Sequence, residues 1–163
     1  MSIQACERHG VAARWKSRFQ RSHRRLQSVL KRLRQAEMDW APDDGIESPR
    51  EHLWEIAVSR RWLAVRLARG RIMPAQETFR PEQVDAQEIV RLLDLCHRNL
   101  GDWLDGASDE DILSTPASVD GEKSLRGLNV EDLLYHQLEL EAHRTAAIDG
   151  LSRLIDPARV PVL

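Results

Sequence analysis

The sequence predicts an all-α fold, a four-helix bundle, and three observations point there. Apolar residues recur at three- and four-residue steps over four long stretches. Caps and breakers bound those stretches: Ser48-Pro49, Gly70, Asn129 and Pro157. No βαβ alternation, Gly-rich phosphate loop or internal repeat offers a competing architecture. At 163 residues, with 42% hydrophobic and 31% charged residues, the chain suits one globular domain over 1–163, with 1–10 as a ragged N-terminus.

The first helix is expected over about 11–38, where Trp15, Phe19, Leu26, Leu30 and Leu33 form one apolar stripe. "WAPDDGIESP" then breaks it with two prolines and a glycine. The second opens on a capping box, with Ser48 at the cap, Pro49 at the first helical position and Glu51 three residues on. It runs through Leu53, Ile56, Leu63 and Leu67 to about residue 69, where Gly70 can close it. "GRIMPAQETFRPEQ" reads as a connection anchored by Phe79. The third helix spans roughly 82–105, with Ile89, Leu92, Leu93, Cys96, Leu100 and Trp103 inward. The stretch 106–128 is the one long irregular connection, an extended excursion or two short strands. Asn129 caps the fourth helix, about 130–154, and Pro157 ends it. Four long helices with one long crossover pack naturally as a bundle.

Composition narrows the classes of function. No apolar run is long enough to span a bilayer, and the N-terminus lacks the apolar segment of a signal peptide, so a cytoplasmic location is expected. Cys6 and Cys96 lie far apart with no CxxC spacing, which argues against a disulfide framework or a thiolate metal site. The net charge of −2 hides an asymmetry. Residues 1–34 hold ten Lys/Arg against Glu7 alone, so the remainder carries −11. Such a helix could meet nucleic acid, but no helix-turn-helix pattern or interleaved aromatics accompany it. Packing against acidic helices of its own bundle or of a partner subunit is the expected role, and nucleic acid is not an expected partner.

The residues with metal-binding chemistry concentrate in "YHQLELEAHR". At about 100° per residue, His136, Glu139 and His143 fall within an arc of roughly 60°, and Glu139 and His143 form an i,i+4 pair able to reach one ion. The second helix repeats the H-x-x-E spacing with His52 and Glu55. A metal would satisfy such a cluster, and so would salt bridges to the many arginines. Trp15, Trp54, Trp62 and Trp103 are expected in the core or at a dimer face, with Trp62 also placed to line a pocket near Glu55. Tyr135 could donate a hydrogen bond beside His136 or sit at an interface.

Two segments resemble a known family. "SPREHLWEIAVSRRWLAVRL" is similar to the second helix of DinB/YfiT-like proteins, and "LNVEDLLYHQLELEAHRTAAIDGLSRL" is similar to their last. "LGDWLDGASDEDI" resembles the end of the third helix and the turn after it, so the likeness runs from about residue 20 to 154. The resemblance implies an up-down-down-up four-helix bundle, usually dimeric. It often carries one divalent metal held by three histidines, one on the second helix and two at i,i+4 on the last. Several members resemble thiol-dependent S-transferases or isomerases, which implies a small-molecule substrate and a low-molecular-weight thiol.

Carried over residue by residue, the likeness puts Glu55 and Glu139 where the family has two of its histidines, while His143 keeps the third and Arg144 matches the arginine after it. Thr145-Ala146 replaces the family's Gly-Gln. The implied ligands are therefore Glu55, Glu139 and His143, a set suited to Zn, Ni, Fe or Mn. The resulting expectation is a metal-dependent S-transferase or hydrolase. A set shifted by one turn would use His52, His136 and either Glu139 or His143, or the two histidines would support the implied ligands. In a third arrangement the metal has been lost, and Glu55 and Glu139 pair with Arg60, Arg61 or Arg144, leaving a metal-free dimeric interaction bundle.

Overall fold

A computed structural model describes residues 10–69, 83–117 and 127–159. Four long helices carry the architecture: α1 (Val11–Leu30), α2 (Pro49–Arg69), α3 (Ala86–Gly106) and α5 (Val130–Ile155). A short α4 (Asp109–Leu113) sits between the last two. None of these helices is long and apolar enough to cross a membrane.

The starts of α2 and α5 follow the sequence closely. Ser48 N donates to Glu51 Oε2 at 2.7 Å, and Glu51 N returns a bond to Ser48 Oγ at 3.4 Å. Asn129 Oδ1 accepts from Asp132 N at 2.9 Å, while Asn129 N donates to Asp132 Oδ2 at 2.8 Å. Both are reciprocal boxes that satisfy donors the helix itself leaves open. Asp85 caps α3 through Gln87 N at 2.8 Å, so that helix starts a few residues later than periodicity alone suggests.

The first helix is shorter than expected. It ends at Leu30, and the chain turns through a 3-10 segment at Gln35–Glu37. The cause is tertiary: Glu37 accepts from Arg34 N at 2.8 Å and from Arg159 Nη2 at 3.0 Å, and Leu33 and Met38 fold back onto the core. A contact made 122 residues away leaves no trace in local periodicity. At its other end α1 is pinned by Asp109, whose Oδ1 accepts from Val11 N at 2.8 Å. A Cβ on Gly10 would stand 2.8 Å from the same oxygen, so a side chain there would push the Asp109 carboxylate aside.

The 106–128 stretch is neither two strands nor wholly extended in its described part. Ser108 and Asp111 box the start of α4, and Pro116 then pairs with Asn129 in an isolated antiparallel bridge. Gly70 and Phe79 lie outside the described residues.

The long helices form a ring: α1 packs on α3 and α5, and α2 packs on the same two. Inside, the apolar core divides into two clusters. One gathers Trp15, Phe19, Leu63, Leu100 and Leu134, and the other Leu26, Ile56, Leu93 and Ile148. Leu30, Leu33, Leu67, Leu92 and Trp103, expected on the buried stripes, are only partly buried at their margins. Between the two clusters in sequence, each long helix carries one member of a polar layer: His23, Arg60, His97 and Glu141.

Candidate functional site

That polar layer is the most buried charged feature of the described molecule. Arg60 is 0% exposed and Glu141 1%. Arg60 Nε donates to Glu141 Oε1 at 2.8 Å and Nη2 to Oε2 at 2.6 Å, a two-pronged pair. Ser22 Oγ and Gln137 Nε2 also donate to the carboxylate, at 2.6 and 2.9 Å, and Gln137 in turn reaches Ser59 Oγ at 3.1 Å. Burial alone would raise the Glu141 pKa, but the Arg60 charge and these donors prevail and hold it below the ordinary range.

Arg60 also reaches across to α1. Its Nη1 lies 3.1 Å from His23 Nδ1, and a guanidinium can only donate, so Nδ1 is the unprotonated nitrogen. Its Nε2 lies 3.1 Å from both Asp94 Oδ1 and Gln27 Nε2. Burial first, then Arg60, lowers the His23 pKa. His97 stacks on His23 with ring centroids 4.0 Å apart, and burial with that neighbour takes its pKa down to about 4. Both imidazoles are therefore neutral near pH 7. Cys96 is buried beside this layer in sequence, and burial raises its thiol pKa, which makes it a poor nucleophile.

A second cluster lies on the α2–α5 rim. Arg144 forms ion pairs with Glu55 and with Glu47. Its Nη1 also donates to His52 Nδ1 at 3.0 Å. His52 is buried, and burial is the main cause of its lowered pKa. The remaining residues with metal-ligand chemistry lie elsewhere. His136 and Glu139 are exposed and face each other at 3.7 Å, and His143 is exposed. The arc of α5 that carries these three residues faces solvent. The inward stripe is Leu134, Gln137, Glu141, Thr145 and Ile148.

Sequence reasoning missed Glu141, although a signal was present. Polar residues at 137, 141 and 145 continue the i, i+3, i+7, i+11 stripe that starts at Leu134 and ends at Ile148. Arg60 likewise lies on the stripe of Ile56, Ala57, Leu63 and Ala64. A charged residue on each of two facing stripes is the mark of a buried pair. Among the tryptophans, Trp15 is buried, and Trp62 is partly buried with the Arg66 guanidinium 5.2 Å from its ring centre. Tyr135 is exposed and stands edge-on to His136.

The DinB superfamily model matches residues 18–148. The chain belongs to the DinB superfamily. No curated protein and no solved structure matches it. The divalent ion that DinB resemblance implies does not fit the side chains as they stand. Among the described residues no three His, Cys, Asp or Glu side chains come together to hold a metal. Glu55 is taken by a guanidinium, while Glu139 and His143 lie on the outer face of this DinB chain's last helix.

Proposed function

We propose that this chain is a metal-independent DinB bundle that works through binding, as a homodimer, rather than through metal-activated chemistry. The observation that carries the reading is Arg144. Its guanidinium joins Glu47 and Glu55 and donates to His52, so an organic cation of the chain itself engages the side chains that an ion would use. The fully buried Arg60–Glu141 pair supports the same reading, because it fills the interior where bundles otherwise build metal sites. Exposed Val58 on α2 and Tyr135 on α5 provide apolar contacts for a dimer face.

Metal analysis of protein purified without chelator, joined to sedimentation equilibrium, tests this. The expected result is well under one equivalent of Zn, Ni, Fe or Mn, a concentration-dependent dimer, and no change in either on Glu139→Ala. One equivalent of metal lost in Glu55→Ala, Glu139→Ala and His143→Ala would overturn it. That outcome would restore the metal-dependent S-transferase or hydrolase reading. One feature favours that alternative: His143 lies near enough to His52 for its charge to lower the His52 pKa, so imidazoles and carboxylates do approach each other on this rim.

A further inference from the structure

The groove between α1 and α5 carries charge that the described part of the molecule leaves unanswered. Arg14, Arg18, Arg21 and Arg25 follow one another at four-, three- and four-residue steps, and all are exposed, so they form one row along α1. Like charges at these steps destabilise a helix, and a natural compensation is an acidic neighbour. Nearby cations have one: Lys16 pairs with Asp105, Arg32 with Asp149 and Arg34 with Glu37. Arg21, Arg24 and Arg25 have no ion-pair partner among the described residues.

These three arginines form one wall of a groove of about 580 Å³, and Leu138, Ala142 and Thr145 of α5 form the other. The volume lies within the range of small-molecule sites. Thr145 is 2% exposed, and its Oγ1 has no hydrogen-bond partner. A buried hydroxyl without a partner is costly and uncommon. The groove thus combines three free guanidinia with an apolar strip.

We propose that this groove binds an amphiphilic anion, a molecule with a phosphate-like head and an apolar tail. Arg21, Arg24 and Arg25 grip the head through charge-assisted hydrogen bonds. Leu138 and Ala142 carry the tail. The site is separate from the α2–α5 rim, and it stands or falls independently of whether a metal binds there.

Calorimetric titration of the full chain with octyl phosphate, inorganic phosphate and octanol tests the proposal. Octyl phosphate should bind at one site per chain, at least about tenfold more tightly than either half-molecule, because head and tail contribute together. Arg21→Gln with Arg25→Gln should weaken it roughly tenfold or more, since charge-assisted bonds are the strong kind. Ala142→Trp should block it sterically while leaving inorganic phosphate binding unchanged. All three positions are exposed, and the arginine variant also relieves like-charge repulsion, so thermal melts of the variants should fall no lower than the parent's. Co-sedimentation with phosphatidic-acid vesicles separates the sources of the head group. Pelleting lost in the arginine variant identifies a lipid, and octyl phosphate binding without pelleting identifies a free molecule. Equal affinity for octyl phosphate and inorganic phosphate, or binding untouched by both variants, would overturn the site.

Discussion

Two arginines tie α2 to α5 in opposite directions, and they do so under opposite conditions. Arg60 reaches from α2 to Glu141 with both side chains out of water, at 0% and 1% exposure. Arg144 reaches from α5 to Glu55 and Glu47 at the rim, where the side chains are 22%, 39% and 42% exposed. Water can replace either partner at the rim at little cost. In the interior it cannot, and a charge left alone there keeps its full desolvation penalty. The buried pair therefore belongs to the fold, whereas the rim pair is exchangeable and is where a ligand could compete.

The sharpest way to break this contrast is to remove one buried partner. Glu141→Ala or Arg60→Ala should cost about 3–5 kcal/mol in urea unfolding, the usual result of stranding a buried charge. Replacing both together, as Arg60→Met with Glu141→Leu, should recover most of that loss. If each single variant cost no more than a surface substitution, the interior pair would be equivalent to the rim pair.

Acid should expose the same difference. His97, at about 4, and His23 both titrate below the ordinary 6.5 in the folded state. The unfolded chain then binds more protons in this window, so stability is complete above about pH 6.5 and falls as pH drops toward 4. The depressed Glu141 adds to the loss further down, as its carboxylate protonates. Thermal melts across this range should show the decline, and His97→Phe should flatten its upper part by keeping the stacked ring without the titration. A flat profile in the parent protein would contradict the neutral, buried state of these imidazoles.

The smallest effect belongs to the rim. Arg144→Ala should change stability by about 0–1 kcal/mol, as partly exposed ion pairs usually do. A loss comparable to that of Glu141→Ala would place the rim among the structural elements of the bundle.

Much of the fold was legible because its signals are local. Ser48, Glu51 and Asn129 announce two helix starts within three residues of each, and Phe19, Leu53, Leu100 and their neighbours mark the inner faces. The end of α1 was not legible, because Glu37 and Arg159 set it from opposite ends of the chain. The site was legible in composition but not in orientation. Glu139 and Glu141 stand two residues apart on a helix, so one faces water and the other the core. A resemblance that aligns charged residues along α5 does not by itself say which of them turns inward. Glu55 illustrates the converse: its pairing with Arg144 was one of the arrangements its surroundings suggested, and the structure adopts it.

The ring order of the helices also bears on how the chain comes to be folded. α1 lies opposite α2 rather than beside it, and its bonds to the last helix span long intervals, as between Trp15 and Glu131 or Ser22 and Glu141. No hairpin of consecutive helices can bury the Trp15–Phe19 stripe during synthesis. Bundles whose neighbours adjoin in sequence assemble from local contacts, while this one must bring α3 and then α5 back from far along the chain before α1 is sheltered on both sides. A nascent chain halted before residue 130 therefore leaves the α5-facing side of α1 uncovered for whatever chaperone or partner waits at the ribosome exit.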